Sequence, residues 1–300
     1  MTEPTPDLCD AVFPVGIVGV GNMGGAMAAN LLSRGWTVHV NDLDAAKMRD
    51  LESFGAVPSV DGSQLAMNCE AVIVCVVDAA QTEDVLFGPR GVATALQPGR
   101  AVLLCPTMAP DDVERFATRL AQTGLHAIDA PMSGGPARAR DGSMSLMVAC
   151  SDTVFAAHRA LINALSAKVF HISERPGDGA RTKLVNNLLA GINLVGAAEA
   201  LAMAEQLGLD LAATLAVIEQ SSGQSWIGSD RMRRALVGDD APRAHVTLLE
   251  KDTRLAVEAA RAAGFVGPLG RHASAVFAQA HVAGLAQEDD AAIFKLLRGA

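Results

Sequence analysis

Lys183 and Asn187, four residues apart, and two glycine-rich segments far upstream carry most of the chemistry legible in this chain. The first segment, Gly19-Val20-Gly21-Asn22-Met23-Gly24, follows a short β-rich run, Val15–Val18, and opens a helical stretch, Met23–Arg34, that ends at Gly35. In that strand–turn–helix setting the spacing suits a dinucleotide. Gly19 permits the tight turn, Gly21 lets a pyrophosphate reach the backbone, and Gly24 lets the helix sit close to the sheet. A second strand around Thr37–Val40 leads to Asn41-Asp42, and Asp42 lies 18 positions after Gly24. A carboxylate there accepts hydrogen bonds from an adenosine ribose and repels the extra phosphate of NADP, and the next residue is Leu43 rather than an arginine. These residues read as a site for NAD in preference to NADP. The plainer alternative is a glycine turn with no ligand.

The second segment is Asp129-Ala130-Pro131-Met132-Ser133-Gly134-Gly135-Pro136, placed at the carboxyl end of a strand, where doubly wound sheets bind their ligands. A Ser133 hydroxyl beside the amides of Gly134 and Gly135 can form a small concavity suited to a carboxylate; a loop of flexible glycines is the alternative. Lys183 and Asn187 share one face of a helix. Desolvation in an apolar helix lowers a lysine's affinity for its proton, so Lys183 could exchange a proton with a substrate hydroxyl while the Asn187 amide holds a neighbouring oxygen. A snorkelling lysine with asparagines along a polar stripe is the competing reading. The five cysteines (Cys9, Cys69, Cys75, Cys105, Cys150) are scattered, show no metal-ligand spacing, and read as reduced thiols. No metal is expected.

Positioning these groups requires two kinds of architecture. Apolar runs at Ala71–Val77, Ala101–Cys105, Ala127–Ala130 and Leu146–Ala149 alternate with helical stretches such as Ala45–Phe54 and Pro110–Thr123. That rhythm predicts a mostly parallel, doubly wound α/β sheet, a Rossmann domain over residues 1–176. After the turn-rich Glu174-Arg175-Pro176-Gly177 the chain becomes Ala/Leu-rich and helix-periodic, predicting an all-α domain over 177–300. Its first element is a long helix, Gly179–Leu207, followed by Asp210–Glu219, Ser229–Val237, Val246–Ala263, Gly267–Ala283 and Asp290–Leu297. Leu184–Ala204 is apolar enough to mimic a membrane span, but Asn186, Asn187, Asn193 and Glu199 are costly in lipid and favour a helix buried in protein. With 24 basic against 33 acidic residues and a net charge of −9, the chain repels nucleic acid and anionic membranes. Met1–Pro14 lacks the charged and apolar regions of a signal peptide, so a cytoplasmic location is expected.

Taken together the segments resemble the β-hydroxyacid dehydrogenase family, whose members include 3-hydroxyisobutyrate dehydrogenases. The resemblance rests on Gly19–Leu31 (GVGNMGGAMAANL), the Ser-Gly-Gly loop within Asp129–Gly142, the Gly179–Asn187 segment and Lys251-Asp252. Val76–Gln81, Val85–Gly88, Leu189–Gly191, Ser225-Trp226, Asp230–Met232 and Glu288–Asp290 are similar to the L-threonate dehydrogenase branch. Asn186-Asn187, by contrast, is the hydroxyisobutyrate-type pair, and Cys105-Pro106 stands where a Ser-rich pair is usual. The resemblance implies Lys183 as general acid/base and Ser133, Gly134, Gly135 and Asn187 as substrate contacts. It implies cofactor contacts from Gly19, Gly21, Asn22, Met23, Gly24, Asp42, Val77, Thr107 and Lys251, with Thr107 on the nicotinamide side. It further implies hydride transfer between NAD and a small hydroxy acid, such as L-threonate or 3-hydroxyisobutyrate, and a homodimer or homotetramer packed across the long helix. Rival readings are a reductase of tartronate or succinic semialdehyde, an imine reductase, and a non-catalytic NAD-binding interaction module. Lys183 speaks against the last two.

Overall fold

The computed structural model describes residues 12–299; Cys9 and most of the expected N-terminal arm lie outside them. The chain divides into two compact units, Met1–Lys183 and Leu184–Ala300.

Unit 1 is built on one sheet whose described strands are β1 (Val15–Val18), β2 (Val38–Asn41), β3 (Val57–Pro58), β4 (Ala71–Val74), β5 (Ala101–Leu104), β6 (His126–Asp129), β7 (Met132–Ser133), β8 (Ser145–Ala149) and β9 (Lys168–Ser173). Between them run α1 (Asn22–Ser33), α2 (Ala45–Glu52), α3 (Gly62–Ala66), α4 (Ala79–Phe87), α5 (Pro110–Gln122), α6 (Gly135–Asp141), α7 (Asp152–Ala157) and α8 (Arg159–Leu165). Strands β3-β2-β1-β4-β5-β6 pair in parallel. Every residue of β1, β4 and β5 is buried, because parallel strands covered by helices on both faces must be apolar throughout. One face packs on Met27, Leu31 and Leu161, the other on Leu86, Phe116 and Leu120.

Beyond β6 the sheet turns antiparallel. Asp129 of β6 pairs with Ala149 of β8, and Met132 and Ser133 of β7 pair with Leu146 and Ser145 of the same strand. Strands β6 and β7 therefore keep one register along a single edge of β8, and β9 runs parallel along its other edge. The alternating pattern anticipates the parallel half. It misses β3 and β7, each only two residues long, and β9, whose residues are largely exposed. The apolar runs also overshoot: β4 stops at Val74 and β5 at Leu104, where the chain leaves the sheet in turns.

Helix α9 (Asp178–Gln206) crosses from the first unit into the second, which continues with α10 (Leu211–Glu219), α11 (Trp226–Val237), α12 (Val246–Ala262), α13 (Pro268–Ala280) and α14 (Ile293–Leu297). By length and composition α9 could cross a membrane. In unit 2, however, Leu194, Ala198 and Leu201 are fully buried at helical spacing in a core with Phe277 and Ile293, as in a core helix. Helix α11 starts at Trp226, three residues before the expected Ser229, because the Ser225 hydroxyl accepts from the Gly228 N–H at 3.1 Å and caps it. Helix α13 stops at Ala280, and the chain passes through a wider turn with Gly284 at φ +86°. The final segment opens with a short turn over Asp290–Ala292, capped by Asp289, before α14.

Candidate active site

Six parallel strands deliver their carboxyl ends to one edge of the sheet, and the order reverses between β1 and β4, the place where such sheets bind nucleotides. The turn after β1 shows which glycines the protein itself requires. A Cβ on Gly24 would lie 1.9 Å from the Gly19 carbonyl oxygen, and Gly19 has φ +89° with the Cys75 carbonyl 2.6 Å from where its Cβ would be. Gly21 faces open space, with no protein atom within 4 Å of a Cβ. Its lack of a side chain is not explained by packing, and it leaves room for a phosphate at the N-terminus of α1, whose first turn holds no acid. Asn22 is exposed there, and Met23 is half-buried against the core.

Asp42, just past β2, ties the turn down: its Oδ2 accepts from the Val20 N–H at 2.7 Å and its Oδ1 from the Asp44 N–H at 2.9 Å. The side chain stays half-exposed, so each oxygen retains capacity for a ribose hydroxyl. Leu43 beside it is fully exposed. Val77 follows β4, its N–H donating to Gln81 Oε1 at 3.1 Å, and Thr107 follows β5 after the buried pair Cys105-Pro106. The described cysteines are free thiols, and burial pushes Cys69, Cys75 and Cys150 up to about 12 and Cys105 well above its ordinary value. They stay protonated at neutral pH.

The Ser133 loop occupies the same sheet beyond β6. Gly134 adopts φ +133°, and a Cβ there would meet the Arg138 side chain at 2.9 Å. Gly135 at φ +75° faces open space. The loop thus pairs a half-exposed hydroxyl with glycine backbone at the start of α6.

At the root of the loop Asp129, 1% exposed, ends β6. Its Oδ2 accepts from the N–H groups of Gly177 and Ala180 at 2.8 and 3.0 Å, anchoring the start of α9. Burial pushes its carboxyl up to about 6, against the opposing pull of those N–H groups. On the outside of the same helix turn, Asp178 receives Arg175 at 2.7 Å and Arg181 at 3.0 Å, and Arg181 also reaches Glu114 at 2.6 Å. Arg175 and its neighbours hold the Asp178 carboxyl down at about 2. Exposed pairs of this kind contribute about 0–1 kcal/mol each, whereas hydrogen bonds to a buried carboxylate contribute roughly 1.5–3 kcal/mol. The inner bonds are individually the stronger, and the cost of burying the Asp129 carboxylate offsets them.

Lys183 lies on α9 one turn past the anchored stretch and is 8% exposed. One turn further, in unit 2, Asn187 is equally buried. Its Nδ2 donates to Asp252 Oδ2 at 2.6 Å, while its Oδ1 accepts from Asn186 Nδ2 at 2.9 Å. Lys251 Nζ approaches Asp252 Oδ1 at 3.2 Å. Asp252 therefore joins the two expected residues Asn187 and Lys251. Sequence reasoning assigned no role to Asp252 or Asp129, whose partners lie 65 and about 50 positions away. The one local signal was an acid beside each motif. Trp226, equally consistent in the sequence with a cleft or with helix packing, is half-exposed.

Comparison with known proteins shows the family of the chain. Residues 14–173 match the NAD-binding domain of 6-phosphogluconate dehydrogenase, and residues 177–297 match the NAD-binding domain of NADP-dependent 3-hydroxyisobutyrate dehydrogenase. The chain is 37% identical to an L-threonate dehydrogenase of Cupriavidus necator over 95% of this chain and 96% of that protein. It is equally similar, at 37%, to that of Escherichia coli over 96% of this chain and 95% of that one. A crystal structure of a 3-hydroxyisobutyrate dehydrogenase from Salmonella typhimurium superposes with a TM-score of 0.89 at 35% identity, covering 95% of this chain and 99% of that one. The chain belongs to the β-hydroxyacid dehydrogenase family, on its L-threonate dehydrogenase branch, and is an NAD(P)-dependent oxidoreductase acting on the CH–OH group of small hydroxy acids.

Proposed function

We propose that this protein oxidises a hydroxy acid of three to five carbons, with L-threonate the first candidate, using NAD. The observation that carries the reading is a buried lysine, Lys183, on a helix whose start is pinned to β6 four residues before Ser133. The substrate carboxylate docks on the Ser133 hydroxyl and the amides of Gly134 and Gly135. Lys183 Nζ takes the proton of the substrate hydroxyl, the O–H electron pair becomes the second bond of the carbonyl, and the C–H electron pair of the same carbon leaves with its hydrogen as hydride. Gly19–Gly24, Asp42, Val77 and Thr107 would hold NAD, which when bound would supply the hydride acceptor. Within unit 2, Asp252 keeps Asn187 in place; the resemblance to the family assigns Asn187 to the substrate and Lys251 to the cofactor or substrate. Run backwards, protonated Lys183 donates to the carbonyl oxygen.

The half-exposed Asp42 carboxylate and the neighbouring Leu43 support NAD over NADP. We place the domain boundary at 176/177, before the whole of α9, and the protein in the cytoplasm. An apolar stripe of Val185, Leu189 and Met203 on α9, continued by Leu207 just past its end, each more than half exposed, supports a homodimer or homotetramer packed across this helix; light scattering at a single-chain mass would overturn that assignment.

The test follows NADH absorbance with a panel of hydroxy acids. Lys183→Ala lowers kcat by roughly 10²–10⁴-fold and leaves NADH binding intact. Turnover by this variant close to wild type removes Lys183 from its role, and a wild-type protein inert on the whole panel overturns the reaction.

A further inference from the structure

We propose that Asp129 is a positioning residue for the reaction: its carboxylate fixes the start of α9 and thereby the place of Lys183 relative to the Ser133 loop. The inference rests on the reading of Lys183 as acid/base and deepens it. Three observations carry it. First, Asp129 and Ser133 belong to one rigid piece of the sheet, since β6 and β7 keep a common register along β8. The carboxylate that grips the helix and the loop that would grip the substrate are thus four residues apart on a single support.

Second, Asp129 is an expensive choice for a helix cap. Its Oδ2 takes two N–H bonds, but Oδ1 is buried with no hydrogen-bond partner among the described residues. A serine or threonine hydroxyl caps a helix without burying a second, unpaired oxygen. A group kept at a cost to stability points to geometry as its purpose. Third, the fit around it has no slack. A Cβ on Gly179 would lie 2.7 Å from the Met147 carbonyl oxygen and 2.9 Å from the Asp129 carboxyl. The helix start is seated directly on β8 and on Asp129, so any lengthening of the cap lifts α9. Lys183 is the next residue of that helix to be buried as a charged group, one turn on.

The experiment uses the full chain with NAD and L-threonate, and measures kcat, KM and NADH binding by NADH fluorescence. Asp129→Leu removes both acceptors and keeps the branched shape in a bulkier side chain, Asp129→Asn keeps one acceptor oxygen, and Gly179→Ala displaces the helix start while the Asp129 side chain itself is unchanged. The expected result is a fall in kcat on the order of 100-fold for Asp129→Leu and Gly179→Ala, with KM and the NADH dissociation constant within about twofold. Asp129→Asn recovers kcat to within about fivefold of wild type, because its amide oxygen still accepts from both N–H groups. Added to Lys183→Ala, Asp129→Leu produces no further loss, since it acts through a group already removed. The proposal is overturned if a folded, NADH-binding Asp129→Leu or Gly179→Ala protein keeps wild-type kcat, or if Asp129→Leu multiplies the Lys183→Ala loss by its full factor. Should Asp129→Leu fail to fold, Gly179→Ala decides alone. Wild-type kcat in Lys183→Ala overturns the underlying acid/base reading instead, so the two failures are told apart.

Discussion

The turn after β1 and the loop after β6 are built on the same plan and tuned differently. Each sets glycines at the carboxyl edge of the sheet together with an aspartate that accepts backbone N–H groups, Asp42 from the turn itself and Asp129 from the start of α9. Asp42 accepts from Val20 and Asp44 and stays half-exposed; Asp129 accepts from Gly177 and Ala180 and is sealed. In each pair one glycine is demanded by the protein and the other looks onto open space: Gly24 against Gly21, and Gly134 against Gly135. The difference teaches that an aspartate left open to solvent can serve a ligand directly, while a buried one can only set the position of another element.

Four measurements test the contrast between the two aspartates and their glycines. The largest effect belongs to the glycine contrast in the turn. Gly24→Ala places a Cβ 1.9 Å from a carbonyl oxygen and is expected to cost about 3 kcal/mol or more, read as a collapse of the urea midpoint. Gly21→Ala leaves stability within about 0.5 kcal/mol yet weakens NADH binding by roughly tenfold or more; unchanged NADH affinity in this variant would remove Gly21 from the cofactor site.

The next effect concerns the sealed aspartate. Its folded carboxyl sits at about 6, above the unfolded value of about 4. The native state then holds the proton more tightly than the unfolded chain, so this group favours folding most below about pH 4, loses that contribution as pH rises to about 6, and stays flat above. The difference in unfolding free energy between wild type and Asp129→Asn should change across that window by about 3 kcal/mol. A difference that does not vary with pH contradicts the assignment.

Third, Ser133→Ala is expected to raise KM for the hydroxy acid by roughly tenfold with little change in NADH binding; an unchanged KM moves the carboxylate site away from this loop. The smallest effect is on cofactor choice. Asp42→Ala combined with Leu43→Arg should shift the NADP-to-NAD ratio of kcat/KM upward by about fivefold or more, and a wild-type enzyme already favouring NADP would reverse the reading of Asp42.

The sequence made the parallel half of the sheet legible because buried strands announce themselves as short apolar runs, and the helices of unit 2 because their caps and periodicity are local. Strand β9 escaped because it lies largely exposed and carries no apolar run. Strand β7 escaped because two residues hold no period, and only pairing with β8 makes them a strand. The start of α11 moved to Trp226 because the Ser225 hydroxyl caps it there, a signal that was local and readable, and Ile227 already packs in the core.

By itself the sequence determined that a dinucleotide turn, a Ser-Gly-Gly loop, a lysine and an asparagine one helical turn apart, and a Lys-Asp pair stand in this order along the chain. The physical reason is that backbone φ preferences and helical spacing act over a few residues and are written in residue type. Only the tertiary structure decided that Gly21 is open where Gly24 is closed, that Asp129 and not the exposed ion pairs holds the start of α9, and that Asp252 joins Asn187 to Lys251. Those outcomes depend on partners tens of positions away, brought within hydrogen-bonding range by packing that no local pattern encodes.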